Sequence, residues 1–409
     1  MHLLFLTDNF PPEVNAPASR TFEHCREWVR EGAQVTVITC APNFPKGAVF
    51  DGYRNWPWQS ETVDGIRVIR VWSYITANEG FVKRILDYLS FMVTATIAAL
   101  FVRRVDVVIG TSPQFFTACA AYATGLLKRR PWVFELRDLW PESIKAVGAM
   151  KESAAIRLLE RLELFLYRKA DLIVAVTHAF KDALTRRGID SSKIEVVTNG
   201  VDLANFHPML KDATLVRDLG LEGCFVAGYI GTHGMAHGLE TLLEAAAALQ
   251  RRPDAQDVRL IFLGHGAEKA ALVAQSARLG LANVRFIDSV PKSEVVRYWS
   301  LLDVSIIHLR KTDLFDSVIP SKLFECMGMA IPVLHGVPGE SAEIVRREGV
   351  GEVFESSNAI QLEEALVRLR TDPERMARYR ANGPAAGRKY NRTDLARRML
   401  DILRKLQVR

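Results

Sequence analysis

A chain of 409 residues, 49% hydrophobic and 24% charged, has the composition of a folded protein of two or three domains and excludes long disorder. Lysine and arginine number 53 against 47 aspartates and glutamates, a net charge of +6, too mild for this size to name a nucleic acid or a membrane as partner. Five scattered cysteines without a Cys-x-x-Cys pair exclude a disulfide framework or zinc ribbon and read as buried thiols of a reducing compartment.

The chain starts on the apolar run Leu3-Leu4-Phe5-Leu6, which lacks the charged leader and small-residue cleavage site of a signal peptide and is expected as a first strand. A helix over 19–31 and strands over 34–39 and 66–71 follow. The apolar stretch 89–102, inside a helix expected over 83–103, carries Ser90, Thr94 and Thr96. It falls short of the ~20 residues of a spanning helix, so a cytoplasmic protein is expected. Lys83-Arg84 and Arg103-Arg104 bracket that helix and Lys128-Arg129-Arg130 lies beyond it. One reading is a face resting on anionic lipid at the inner membrane; the other is a packed core helix, which Thr94, Ala95, Ala98 and Ala99 suit.

Strands over 105–109, 132–136, 172–176 and 194–198 then alternate with helices over 115–128, 154–169 and 179–187. After Asn199-Gly200 and Pro208 the pattern restarts, with strands over 225–230, 258–264, 284–287, 304–307 and 333–334. Short apolar runs between helices are what a parallel sheet covered on both faces produces. The expected class is α/β with two doubly wound domains, divided within 200–222. In such folds ligands bind beyond the carboxyl ends of the strands, so the residues following each strand carry the search for a site.

Two stretches hold candidate chemistry. Strand 225–230 runs into a turn containing Gly231, Gly234 and Gly238, with Thr232 and His237 between them, and then into a helical pattern. Glycines permit close backbone approach, and a helix start suits a diphosphate. A softened strand-to-helix turn would look the same. Further on, Pro320 and Ser321 suggest a helix start with Ser321 as N-cap. Lys322 is unfavourable to the helix dipole there, which suggests an anionic ligand. Glu325 lies among Leu323, Phe324 and Met327, where its carboxylate needs partners such as two vicinal sugar hydroxyls. A Lys322–Glu325 surface pair is the alternative.

These segments, with the stretches 10–20 (Pro11, Pro12, Glu13, Asn15, Ser19), 134–142 (Glu135, Arg137, Asp138, Trp140, Pro141, Glu142) and 199–206 (Asn199, Gly200, Val201, Asp202, Phe206), and Gly264 and Gly266, resemble in order and spacing the family 4 retaining glycosyltransferases of the GT-B fold. The similarity is strongest to the WbuB-like, N-acetyl-L-fucosamine transferase subgroup of bacterial surface-polysaccharide enzymes, and it spans nearly the whole chain. It implies two Rossmann-like domains facing across a cleft: 1–206 on the acceptor side, 207–387 for the nucleotide sugar, and a helix, 388–409, crossing back to the first domain.

The resemblance further implies roles residue by residue. Glu325 matches the second glutamate of the family's E-x7-E motif, which holds the nucleotide ribose. The first falls on Ser317, so Asp316 or Asp313 is expected to substitute. Where relatives carry lysine before the glycine matched to Gly238, this chain has His237, which shifts phosphate neutralisation to Lys322 and Arg310. The donor set is then Gly231, Thr232, His237, Arg310, Ser321, Lys322, Leu323 and Glu325. Arg137-Asp138 stands where relatives have His-Asp near the donor sugar, making Asp138, Arg137 and Lys322 the catalytic set. Glu13 and Asn15 lie on the acceptor side, and the acceptor implied is a lipid-linked saccharide.

A leaving nucleoside diphosphate needs cations and N–H donors. The chain has no Asp-x-Asp and no metal-ligand spacing, so no metal or other cofactor is expected, and no nucleic-acid partner. A UDP-sugar 2-epimerase of the same fold is the competing enzyme class. A dinucleotide enzyme fits poorly, because Asp8-Asn9-Phe10-Pro11-Pro12 after the first strand lacks the dinucleotide glycines. Residues 388–409 hold eight basic and two acidic residues, equal to the whole surplus of charge. They are expected as a helix packed through Leu395, Met399, Ile402 and Leu406 with a basic outer face.

Overall fold

Leu3 to Leu6 are fully buried, as a strand covered on both faces requires, and form β1 (His2–Leu6) near the centre of a sheet. The structure, a computed structural model, describes residues 1–44, 46–76, 81–139, 154–312 and 314–406. Trp140, Pro141, Glu142 and Asp313 lie outside the described residues. The chain divides into two units, 1–198 with 392–409, and 199–391.

In the first unit β1 is joined by β2 (Gln34–Cys40), β3 (Gln59–Val63), β4 (Ile66–Val71), β5 (Val107–Thr111), β6 (Trp132–Leu136), β7 (Leu172–Ala175) and β8 (Ile194–Val196). The order is β3-β4-β2-β1-β5-β6-β7-β8, parallel except for the β3–β4 hairpin at one edge. That hairpin turns at Asp64 (φ 47°) and Gly65 (φ 80°), a two-residue loop with both dihedrals positive. Strand β3 went unread because Gln59–Val63 is a polar edge strand with no buried residue.

The first helix spans Ala16–Arg30, starting earlier than the sequence pattern suggests. Asn15 has extended backbone and accepts a hydrogen bond from the Ala18 amide (2.9 Å), and Pro17 falls in the first turn, where its missing N–H costs nothing. We expect Asn15→Ala to remove ~1 kcal/mol, read as a fall in Tm, while Asn15→Asp holds the wild-type value.

Helix Arg392–Leu406 packs on the first helix as expected. Leu395, Ala396, Met399, Leu400, Ile402 and Leu403 are buried, and the Trp28 indole donates to the Ala396 carbonyl (2.8 Å). Part of its expected basic face is neutralised. Arg392 pairs with Glu23, and Arg397 with Glu27 (2.7 Å) and Glu31 (2.8 Å), all on the first helix.

The second unit carries a six-stranded parallel sheet, ordered β11-β10-β9-β12-β13-β14. Its strands are β9 (Phe225–Ile230), β10 (Val258–Leu263), β11 (Val284–Ile287), β12 (Val304–His308), β13 (Val333–Gly336) and β14 (Gly351–Val353). The three-residue β14 was too short to read. The unit boundaries differ from those expected. Val201 donates to the Tyr390 carbonyl (2.9 Å), and Tyr390 packs on Phe324 (4.6 Å), so residues 199–206 and 388–391 stay with the second unit.

Helix Phe81–Phe101 begins and ends two residues earlier than the expected 83–103. Its segment Lys83–Phe101, with mean hydropathy 1.4, is long and apolar enough to cross a membrane by length and composition, correcting the expectation that it falls short. Phe91, Ala95, Ala98 and Ala99 are buried against the unit, whereas Leu86, Val93, Ile97, Leu100 and Phe101 are exposed, Phe101 to 70%.

Candidate active site

The second unit brings several of the predicted donor residues together. Gly231 (φ 145°) and Gly264 (φ 149°) end β9 and β10, and a Cβ on Gly264 would lie 1.9 Å from the Gly231 carbonyl oxygen. Only glycine permits that approach. His233 is bonded at both backbone groups: its N–H donates to the His265 carbonyl, and its carbonyl accepts from the Glu268 N–H (both 2.9 Å). The glycines therefore serve backbone packing in the first place.

Over this turn lies Lys322. Its Nζ is 3.7 Å from the centroid of the Tyr229 ring and 2.8 Å from where a Gly231 side chain would begin. Tyr229 in turn donates its hydroxyl to the Thr232 carbonyl (2.8 Å). Burial lowers the Lys322 pKa to about 8, and Glu325 opposes the shift. At neutral pH this is a partly desolvated ammonium beside a glycine turn, an arrangement suited to an anionic ligand. His237 adjoins the same tyrosine (5.8 Å between centroids). Burial, then Lys322, push its pKa down to about 3, so the ring is neutral at pH 7.

Other predicted donor residues are placed differently. Ser321 stands at the N-cap position of helix Lys322–Gly328, as expected, but with helical backbone angles and no side-chain cap bond. The Leu323 side chain is fully buried in the core, and its N–H is given to the Pro320 carbonyl (3.0 Å). Arg310 lies along the turn, its N–H on the Ala236 carbonyl (2.8 Å), but its guanidinium pairs with Glu240 (2.8 Å). That half-exposed pair uses one terminal nitrogen, and the buried Nε has no hydrogen-bond partner among the described residues. Ser317, in the position of the missing glutamate, donates its hydroxyl to the Leu314 carbonyl (2.6 Å). His233 was missed. It is fully buried, and neither ring nitrogen has a hydrogen-bond partner among the described residues. No local sequence pattern separates it from any other turn residue.

In the first unit, Arg137 and Asp138 follow β6, and both of their N–H groups donate to the Ser112 hydroxyl (2.7 and 3.2 Å). The Arg137 guanidinium donates to the carbonyls of Ala16 and Pro17 (3.2 Å each), which brings the Asn15 loop beside Asp138. Burial lowers the Arg137 pKa to about 10, against the pull of Glu135. Glu13 is 4% exposed, and its Oε1 accepts from the N–H groups of Asn43 and Phe44 (2.8 Å each). Through Oε1 it pins loop to loop, while its buried Oε2 has no hydrogen-bond partner among the described residues. Asn15 is likewise engaged, as the cap described above and as donor to Asn9 (2.6 Å).

Two carboxyls at this end of the sheet were missed. Asp8, after β1, has its pKa raised to about 8 by burial and then by Asp87, whose own is raised to about 7 by burial. Their proximity is a product of the fold, since one follows a strand and the other sits on helix Phe81–Phe101. Among the described residues, no cluster of three or more His, Cys, Asp or Glu side chains could hold a metal ion.

Two Rossmann-like units, one with an ammonium over a glycine turn and the other with an arginine–aspartate pair at a strand end, define a GT-B glycosyltransferase architecture. The described family Glycosyl transferase 4-like domain matches residues 15–200, and Glycosyl transferases group 1 matches 216–386. The chain belongs to the glycosyltransferases that combine these two domains. It is 26% identical over 335 residues to a chain named colanic acid biosynthesis glycosyl transferase WcaI of Escherichia coli (strain K12), covering 79% of this chain and 80% of that one. It is 29% identical over 255 residues to the glycosyltransferase WbjE of Pseudomonas aeruginosa, covering 60% of each. Among solved structures, sucrose-phosphate synthase from Thermosynechococcus elongatus superposes with a TM-score of 0.78 at 16% identity, covering 99% of this chain and 98% of that one. Anabaena Alr3699/HepE in complex with UDP-glucose superposes with a TM-score of 0.73 at 18% identity, covering 99% and 100%.

Proposed function

We propose that the protein moves a sugar, with retention of configuration, from a UDP-linked donor to a lipid-linked saccharide during bacterial surface-polysaccharide or O-antigen assembly, and that the sugar is an N-acetylated amino sugar. The observation that carries the donor side is the meeting of the Lys322 ammonium with the Gly231 backbone and the Tyr229 ring, with Glu325 one helical turn further on. The ammonium takes charge from the leaving diphosphate, and the Glu325 carboxylate accepts from the ribose hydroxyls. Arg137 and Asp138 are assigned to the reacting sugar, Asp138 orienting it while the leaving phosphate takes the acceptor's proton. The relatives support the pathway: WcaI is named for colanic acid biosynthesis, and the related TuaH of Bacillus subtilis for teichuronic acid biosynthesis.

The reading includes peripheral attachment to the inner face of the cytoplasmic membrane, carried by the exposed apolar face of helix Phe81–Phe101. Leu126 and Leu127 extend the exposed apolar surface. Lys83, Arg84, Arg103, Arg104, Arg129 and Arg130 add cations at both helix ends and on the next loop. Lys128 is partly used in closing that helix, donating to the Val102 carbonyl (2.7 Å).

The donor is tested by thermal shift with UDP, UDP-GlcNAc, UDP-glucose, UDP-N-acetylfucosamine and GDP-mannose, since a bound ligand raises Tm by mass action. The UDP compounds are expected to raise it, and a response to GDP-mannose alone overturns the assignment. Glu325→Ala is expected to weaken UDP binding by one to two orders of magnitude, the scale of a charge-assisted hydrogen-bond pair. Turnover is expected to persist in EDTA, because the ammonium and backbone N–H groups meet the leaving charge. Formation of an epimer from UDP-GlcNAc without acceptor would instead establish the 2-epimerase.

A further inference from the structure

Beneath the Arg137-Asp138 segment lies a buried group of charges that donor and acceptor contacts do not explain. Arg20, on the first helix, and Glu135, on β6, are 3% and 1% exposed and form a 3.0 Å ion pair. The rest of the Arg20 guanidinium is given to the carbonyls of Thr198 (2.9 Å) and Val197 (3.0 Å), the last residues before the chain enters its second unit. Arg137 also faces Glu135, and Arg392 lies close enough to Arg20 and Arg137 to repel both. Buried Arg20 and half-buried Arg137 and Arg392 thus act on one another beside the carboxylates of Glu135 and Glu23. Glu135 is the group facing both Arg20 and Arg137, and without its charge those two guanidiniums repel across a medium that screens poorly.

Arg137 is covalently next to Asp138, and its guanidinium also holds the Ala16 and Pro17 carbonyls at the start of the first helix. We infer that Glu135 is a positioning residue: by balancing Arg20 and Arg137 it fixes the Arg137-Asp138 segment against the first helix in the geometry that turnover needs. Glu135 touches no substrate in this account and acts through Arg137. The inference rests on the proposed catalytic role of Arg137-Asp138.

A buried ion pair can often be exchanged for apolar residues of similar volume without loss of fold. The test is therefore the double variant Arg20→Met/Glu135→Leu, with Glu135→Gln as the shape-conserving variant should the double fail to fold. Turnover is read as UDP release from the UDP-sugar chosen in the donor screen, and donor affinity as UDP binding by calorimetry. A Glu135 that only supports the fold predicts that the folded apolar pair retains kcat, because packing is restored. Positioning predicts a fall in kcat on the order of 10²-fold, the scale of a small misplacement at a reacting centre, with UDP affinity within twofold of wild type. A folded variant with kcat within twofold of wild type overturns the inference, as does an equal loss of UDP affinity. Asp138→Asn is assayed alongside. If it turns over at the wild-type rate, the catalytic reading of Arg137-Asp138 falls, and the inference with it. If it is impaired while the pair variant is active, the positioning role alone is lost.

Discussion

Lys322→Met is expected to lower turnover by two to three orders of magnitude while leaving Tm unchanged or higher. The side chain spends part of its ammonium hydration to lie over the Tyr229 ring and the Gly231 backbone, and burial brings its pKa down from 10.5 to about 8. A group whose folded pKa lies below its unfolded one binds fewer protons when folded, so its charged form costs stability below pH 8 and the cost fades as pH rises toward 10.5. Methionine removes that cost and keeps the packing. It also removes the cation proposed to meet the leaving diphosphate, a loss of the size seen when one preorganised charge-stabilising group is deleted, roughly 10²–10³-fold. The pH profile separates this role from packing: kcat/KM for the donor reports the free enzyme and should fall above pH 8 as the ammonium deprotonates. Lys322→Arg should keep partial activity and lose that alkaline limb, because a guanidinium does not titrate there. A methionine variant at wild-type rate would remove the proposed donor site.

The second large effect concerns the membrane. Ile97→Glu/Phe101→Glu is expected to cut binding to vesicles of mixed phosphatidylcholine and phosphatidylglycerol by at least 10²-fold, with Tm unchanged. Both side chains are largely exposed, 53% and 70%, so charging them disturbs little packing beyond the edge-on contact of Phe101 with the Trp58 ring (6.3 Å between centroids). Each apolar side chain entering the interface is worth ~1.5–3 kcal/mol, and each nearby lysine or arginine about 1 kcal/mol against an anionic leaflet. Co-sedimentation measures the loss. Binding should also weaken with salt, since the cationic part is screened within a Debye length of about 8 Å at physiological ionic strength. Unchanged sedimentation of the double variant would assign the exposed face to another partner.

How far the sequence can be read depends on whether a feature is local. Strands such as β1, β2 and β9 announce themselves, because a run buried on both faces must be apolar throughout. Gln59–Val63 does not, since an edge strand in a hairpin needs no apolar face. Lys322 could be read as a candidate because an ammonium near a helix start carries a cost that folding alone does not repay, whereas the glycines of the turn are explained by backbone packing. Ser321 and Leu323 show what residue type leaves open: Ser321 stands at the helix start without a side-chain cap bond, and the Leu323 side chain turns into the core. Glu13 showed a carboxylate in a loop, but only the fold reveals that the amides of Asn43 and Phe44 occupy it. Asp8 with Asp87, and Arg20 with Glu135, are pairs made by topology across long separations, and no spacing rule finds them.

Because helix Arg392–Leu406 completes the core of the first unit, that unit is discontinuous in the chain, while 199–391 is a single stretch. During synthesis the second unit can therefore finish folding first, although it is translated later than most of the first. Until Leu395–Leu403 emerge from the ribosome, Trp28 and its neighbours on the first helix have no cover, and the nascent first unit presents that apolar strip to chaperones. A premature stop after residue 391 would leave a complete second unit attached to a first unit that cannot close its core. Such a chain should be cleared by proteolysis even though every proposed catalytic residue is present.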